Sequence, residues 1–152
     1  MDFLQLDAGS LWASNNVIRH YIRDGKLAQA KEMAANLKED RQFSFQMMRV
    51  CFENPSSPDV ARLARDVVAV RLADPDPEPR YIVAGDLLFC GQREAALQLL
   101  KSSINGHFCA YAGLQNDSIW VKLRGTPEFA ELLYAAKQCR DDFLAQRTQT
   151  VH

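Results

Sequence analysis

Apolar residues along the chain recur at intervals of three and four positions, and the strict alternation typical of β-strands is almost absent. This period predicts an all-α chain. Glycines at 25 and 91 and a proline-rich run at 74–79 stand between the apolar stretches and are signals that end helices. The predicted helices cover residues 10–23, 27–38, 41–53, 58–73, 79–90, 93–104 and 126–146.

Residues 107–124 have no sustained helical period, and we expect two short helical pieces there, separated around 115–117. The last helix is expected to begin with Thr126 as its N-cap and Pro127 as its first residue. A threonine hydroxyl can accept a hydrogen bond from a free backbone N–H, and the fixed φ of proline suits the first helical position.

Two of the predicted helical hairpins match each other in sequence. At a constant offset of 66 residues, Val17, Tyr21, Gly25 and Ala30 align with Val83, Leu87, Gly91 and Ala96. Half of this offset is a repeat length typical of stacked helical hairpins. A small residue five positions after each turn extends the pattern to turns at Gly25, Asp59, Gly91 and Gly125, followed by Ala30, Ala64, Ala96 and Ala130. The predicted hairpins are 10–38, 41–73, 79–104 and 107–146.

A turn glycine followed five positions later by alanine resembles the tetratricopeptide repeat, a helical hairpin of about 34 residues. The residues that carry the resemblance are Tyr21, Gly25, Ala30 and Ala34 in the first hairpin, and Gly91, Ala96 and Leu100 in the third. The resemblance implies one domain, residues 1–152, folded as a right-handed solenoid of about four hairpins. It also implies a module that binds proteins along a concave groove lined by the first helix of each hairpin.

The run Trp-Val-Lys-Leu-Arg-Gly-Thr-Pro-Glu-Phe at 120–129 is similar to the closing motif of repeat domains attached to bacterial winged-helix regulators and kinase-like signalling proteins. This resemblance implies the sensory or docking part of a larger protein. A free-standing small repeat protein would have the same sequence, so the two alternatives stay open.

Composition and charge narrow the function classes. The chain has 152 residues, 18 Lys and Arg against 19 Asp and Glu, and a net charge of −1. This balance argues against direct nucleic-acid binding, which depends on clustered excess cations. Apolar residues make up 47% and charged residues 24%, which is the mixture of a globular domain. A chain of this length can bury a core without disulfides or a structural metal.

The four cysteines, at 51, 90, 109 and 139, show no paired spacing of the kind that holds zinc. We therefore expect four reduced thiols, no metal and a cytoplasmic location. The first residues lack the basic and apolar stretches of a signal peptide, and no run of 18 uncharged apolar residues occurs, so no membrane association is expected.

Catalytic motifs are missing from the sequence. It contains no GxSxG, HExxH, Walker-type or GxGxxG string, and only three histidines, His20, His107 and His152. His107 and Cys109 are two positions apart and would not face each other on a helix. The sequence therefore predicts a protein that is not an enzyme and uses no cofactor.

The candidate binding residues follow from the groove positions of the repeat family, counted back from the turn glycines, and from the polar stripe of the helix at 41–53. They are Trp12, Asn15, Arg19, Arg23, Gln42, Gln46, Arg49 and Tyr81. Three arginines with two aromatic rings favour an acidic peptide. The competing interpretation is that these residues form a solvated inner face or are covered by residues 107–124.

The sequence thus predicts a non-catalytic module that binds an acidic peptide or protein segment. A different alternative is an all-α sensor that holds an apolar small molecule between hairpins, lined by Phe43, Phe45, Phe52 and Phe89. A closed apolar cavity would support the sensor, and an open polar groove would support the module. A third alternative is a homodimer formed through an end hairpin, because the ends of a solenoid leave an apolar face uncovered.

Overall fold

The computed structural model describes residues 11–37 and 43–150, with side chains from residue 14 onward, and every regular element in these ranges is helical. This confirms the predicted all-α class. The elements are α1 (Leu11–Arg23), α2 (Leu27–Ala35), α3 (Phe43–Glu53), α4 (Pro58–Ala73), α5 (Glu78–Phe89), α6 (Arg93–Asn105), α7 (Tyr111–Asn116), a 3-10 helix η1 (Ser118–Trp120) and α8 (Pro127–Gln149).

The chain divides into two compact units, residues 1–67 and 68–152, with the boundary inside α4. The first unit contains α1, α2, α3 and the first part of α4, and the second contains the rest. The right-handed solenoid of four hairpins stays a prediction.

The predicted match between two hairpins is reproduced in their local geometry. Helix α1 ends at Arg23 and α2 begins at Leu27, and 66 residues later α5 ends at Phe89 and α6 begins at Arg93. Gly25 and Gly91 both adopt a left-handed backbone, with φ of 73° and 75°. In each turn, the N–H of the residue after the glycine donates back to the carbonyl five positions earlier, at 2.8 Å and 2.9 Å. Both helices therefore end in the same C-terminal cap.

The alanine five positions after the turn glycine is buried in these two hairpins, and the pattern changes in the other two. Ala30 and Ala96 are fully buried. Ala64 is buried too, but Asp59, which the repeat pattern placed in a turn, lies in the first turn of α4. Ala130 is exposed, and its neighbour Phe129 is the buried residue. The turn predicted at Asp59 is therefore wrong, because α4 already begins at Pro58.

In the second unit, the irregular segment takes the place of a regular first helix. Helices α5 and α6 form a hairpin, α8 packs beside α6, and η1 packs against α5. Trp120 of η1 and Leu123 are fully buried. As predicted, α8 begins with Thr126 as N-cap, and the Thr126 hydroxyl accepts from the Phe129 N–H at 3.4 Å. The two short helical pieces and the capped last helix are thus confirmed.

Arg80 ties the proline-rich link to the hairpin that follows it. Its guanidinium donates to the carbonyl oxygens of Arg71 at 3.1 Å and Asp74 at 2.6 Å, and to the hydroxyl of Ser102 at 3.0 Å. The Ser103 hydroxyl donates to the Pro77 carbonyl at 2.8 Å. Carbonyls left unpaired at the end of α4 are satisfied in this way.

The expectation of four reduced thiols is wrong. Cys109 and Cys139 form a disulfide that joins the loop before α7 to α8, with their Cα atoms 5.5 Å apart. Cys51 and Cys90 are disulfide-bonded as well, and no cysteine within the described ranges is free. Sequence spacing misled here because disulfide pairing depends on Cα distance in the fold, which the 30-residue separation does not reveal.

Helix α8 is the longest element, with 23 residues. It carries acidic and basic side chains along its whole length, including the Lys137–Asp141 pair. No helix within the described ranges combines the length and the apolar character needed to cross a membrane.

Candidate binding cleft

A cleft of about 520 Å³ lies in the first unit, bordered by the end of α2, one side of α3 and the first turns of α4. Its walls combine exposed apolar side chains with charged groups. The lining residues are Ala35, Phe43, Gln46, Arg49, Val50, Glu53, Arg62 and Leu63.

The helical phase of α3 explains why these residues share the cleft. Phe43, Gln46, Val50 and Glu53 follow one another at intervals of three, four and three, so they lie on one side of the helix. The opposite side is buried in the core, through Phe45, Met47, Met48 and Cys51. The polar stripe predicted from the sequence is therefore the side of α3 that faces the cleft.

Arg49 is held in a fixed position at the wall of the cleft. Its Nη1 donates to the Leu37 carbonyl at 2.9 Å, just beyond the end of α2. A guanidinium has five N–H donors, so this bond anchors the side chain without using its capacity to bind a carboxylate.

Arg62 supplies a second cation on the α4 side of the cleft. Its side chain is 56% exposed and lies 3.3 Å from Asp59 and 3.9 Å from Asp66. Ion pairs this exposed contribute little and exchange readily with water. The Arg62 side chain can therefore turn toward a bound anion at small cost.

Three of the other predicted residues pack within the first unit and do not line this cleft. Asn15 is only 5% exposed, and its Oδ1 accepts no hydrogen bond from the described part of the chain. The Arg19 guanidinium lies over the Phe45 ring, 5.0 Å from the ring centre, and Arg23 donates to the Arg19 carbonyl at 3.3 Å. The predicted cluster of three arginines is therefore not found at the cleft: Arg49 lines it, and Arg19 instead covers a core aromatic ring.

Tyr81 belongs to the second unit and is covered by the irregular segment. Its hydroxyl accepts from the Trp120 Nε1–H at 3.1 Å, and its ring packs at 5.3 Å from the Trp120 ring and 5.5 Å from the Phe108 ring. A side chain added at Gly113 would overlap the Tyr81 hydroxyl. Tyr81 is therefore a packing residue, as the competing interpretation of the sequence expected.

Two predicted residues cannot be placed beside the cleft. Gln42 lies outside the described residues, and Trp12 lies on α1 where only the backbone is described. Of the predicted residues whose side chains the structure describes, Gln46 and Arg49 line the cleft.

Sequence reasoning missed Phe43 and Arg62 as cleft residues. Phe43 was predicted only as a lining residue of the small-molecule alternative, and it is 38% exposed. Its position three residues before Gln46 on the same helix was a usable signal. Arg62 had no such signal, because α3 and α4 meet only through the fold.

The aromatic residues of the sensor alternative are not gathered in one place within the first unit. Phe45 is buried under Arg19, whereas Phe43 lines the open cleft. Phe52 is half-buried, and Phe89 belongs to the second unit.

A second cleft of about 510 Å³ lies between α6 and α8 in the second unit, and its walls are mainly apolar, with three glutamates and Lys101 among the lining residues. Glu94, Glu128 and Glu131 stand at one end, where Arg93 contacts Glu94 at 3.1 Å and Glu128 at 3.2 Å. The pKa of Glu128 is lowered, first by a hydrogen bond to its own backbone N–H at the start of α8, while desolvation opposes this and Arg93 adds to it.

The described residues contain no group of three or more His, Cys, Asp or Glu side chains placed to hold a metal ion. Comparisons with protein-family models, curated proteins and solved structures return no match. The resemblance to tetratricopeptide repeats therefore stays a prediction, and the site must be interpreted from its own chemistry.

Proposed function

We propose that this protein is a non-catalytic interaction module that binds an acidic protein segment in the cleft between α2, α3 and α4. The observation that carries the proposal is the pairing of an exposed aromatic ring, Phe43, with two arginines, Arg49 and Arg62, along one open cleft. Aromatic residues, Phe among them, and arginine are enriched in protein–protein interfaces.

The chemistry of the cleft selects the ligand class. Phe43 and Val50 offer apolar surface to one side chain of a bound segment, and Arg49 can pair with a carboxylate through two parallel hydrogen bonds. Glu53 at the same cleft disfavours a second carboxylate near it, so we expect one or two acidic residues beside one apolar residue. A site of this size supports micromolar rather than nanomolar affinity.

The experiment is a binding titration with labelled peptides that place Asp or Glu next to Leu or Phe, compared with the same peptides carrying Lys. Arg62→Ala should weaken binding of the acidic peptides about tenfold at low salt, with less effect at high salt. Arg49→Ala should do the same, and its melting temperature is measured beside it because it also loses the bond to Leu37.

Arg65→Ala is the matched control, because Arg65 is an exposed arginine on the same helix that does not line the cleft. Equal loss of affinity in Arg65→Ala and Arg62→Ala would contradict the proposal, since it would indicate a general charge effect. Tight binding of apolar small molecules without any peptide binding would favour the sensor instead.

The disulfides also bear on where such a module works. The expected cytoplasmic location depended on reduced thiols, and the Cys109–Cys139 bond removes that basis. Disulfides persist mainly in oxidising compartments, so the bond supports an oxidising compartment for this module.

A further inference from the structure

Helix α8 presents two different faces. The inner face follows Phe129, Ala136 and Cys139, which are buried in the second unit or bonded to Cys109. A different face runs outward along the whole helix at intervals of four, three, four, three and four residues. We call it the outer stripe, and it consists of Ala130, Tyr134, Lys137, Asp141, Leu144 and Thr148.

The outer stripe exposes two large apolar side chains. Tyr134 is 72% exposed and Leu144 is 49% exposed. Between them, the Lys137 and Asp141 side chains approach to 4.0 Å and are each about half exposed. Spacing of this kind keeps all six residues in line along one side of a helix and is the spacing used where two helices pair.

The order of residues along the outer stripe is symmetric about position 139. Around that centre, Ala130 corresponds to Thr148, both small, and Tyr134 corresponds to Leu144, both large and apolar. Lys137 corresponds to Asp141, which have opposite charge. A helix with this arrangement complements a second copy of itself running in the opposite direction, because each residue then faces its counterpart.

We propose that the outer stripe is a self-association surface, on which α8 pairs antiparallel with α8 of a second copy about a two-fold axis at residue 139. Each Lys137 then faces Asp141 of the other copy, and each Tyr134 faces Leu144 of the other copy. The charge complementarity supports another copy of this chain as the occupant, and Asp141 keeps its contact with Arg140 of its own chain at 2.9 Å. The inference is independent of the cleft in the first unit, and it assigns the homodimer alternative to one helix.

The proposed pairing is long but contains few apolar contacts. Residues 130–148 span about 27 Å of helix. Two apolar residues from each copy and two ion pairs form a small interface, which places the association in the weak, transient class, with a Kd of about 10–100 µM. The ion pairs fix the direction of pairing more than they add affinity.

The test uses charge exchange in the full chain, followed by sedimentation velocity over a range of concentrations. Lys137→Asp places acids opposite acids, and Asp141→Lys places cations opposite cations, so each variant alone should dimerise at least tenfold more weakly. A mixture of the two variants should recover dimers, because each acidic stripe then meets a basic one. The double variant Lys137→Asp with Asp141→Lys should also dimerise.

Asp142→Lys is the matched control, since it makes the same charge change one residue away on another side of α8 and should leave dimerisation unchanged. Circular dichroism of every variant checks that the helix is intact. A parent chain that stays monomeric up to about 1 mM, at least about tenfold above the expected Kd, would overturn the proposal. So would dimers that persist in both single variants, or single variants whose mixture stays monomeric.

Discussion

At the residue scale, the contacts of Tyr81 show that its face of α5 is used for packing. Its groove position in the repeat pattern suggested a ligand contact, but its hydroxyl accepts from Trp120 and its ring packs on Phe108 and Trp120. Trp120 is fully buried, so its indole N–H depends on this hydroxyl as its partner. Packing, and not binding, therefore accounts for the tyrosine.

Tyr81→Phe is expected to destabilise the protein by about 1–3 kcal/mol, because it leaves the buried Trp120 N–H without an acceptor. The measurement is urea unfolding. Tyr111→Phe is the control: the Tyr111 hydroxyl accepts from Gln115 at 2.8 Å in an exposed place, and its loss should cost less than about 0.5 kcal/mol.

Gly113→Ala adds a second check on the same contact. The new Cβ overlaps the Tyr81 hydroxyl. Gly113→Ala should therefore lower the free energy of unfolding more in the parent chain than in the Tyr81→Phe variant, which lacks that hydroxyl. Equal costs in both backgrounds would show that the close approach of α7 to Tyr81 is incorrect.

At the scale of elements, the two helix ends at Gly25 and Gly91 are equivalent structures in different units. Both glycines have positive φ, and a Cβ added at either would meet no atom within 4 Å. A substitution there changes backbone strain and little else.

Gly25→Ala and Gly91→Ala are each expected to destabilise by about 1 kcal/mol, since alanine is strained in the left-handed region. Gly25→Asn and Gly91→Asn should cost less, because asparagine tolerates that conformation. Urea unfolding of the four variants measures this. Unequal losses at the two sites, or no benefit from asparagine, would contradict the equivalence of the two caps.

At the scale of the whole molecule, the Cys109–Cys139 disulfide closes a 30-residue separation that contains α7, η1 and the first part of α8. His107 and Ala110, on either side of Cys109, adopt positive φ of 71° and 49°, which non-glycine residues rarely do. The bond and the packing of the second unit together hold this strained loop in place.

Cys109→Ser with Cys139→Ser is expected to lower stability by about 3–4 kcal/mol, the entropy gained by the unfolded chain when a loop of this length is opened. The melting temperature should fall by on the order of 10 °C. A reductant should lower the melting temperature of the parent chain at least as much, since Cys51 and Cys90 are also disulfide-bonded. An unchanged melting temperature in both experiments would contradict the disulfide and support the original prediction of reduced thiols.

The sequence by itself determined the helices. Most observed boundaries lie within about three residues of those predicted, because the period of apolar residues, Gly25, Gly91 and the Thr126–Pro127 start are local signals that act within one or two turns. The polar stripe of α3, with Gln46 and Arg49, was readable for the same reason, since it depends only on the phase of one helix.

Only the tertiary structure decided which faces meet. It brought Arg62 of α4 to the cleft beside α3, placed Arg19 over Phe45, and closed residues 107–124 over Tyr81. It also brought Cys109 within bonding distance of Cys139. Contacts between residues far apart in sequence depend on how helices pack, and helix packing follows the shapes of whole surfaces, which no local pattern encodes.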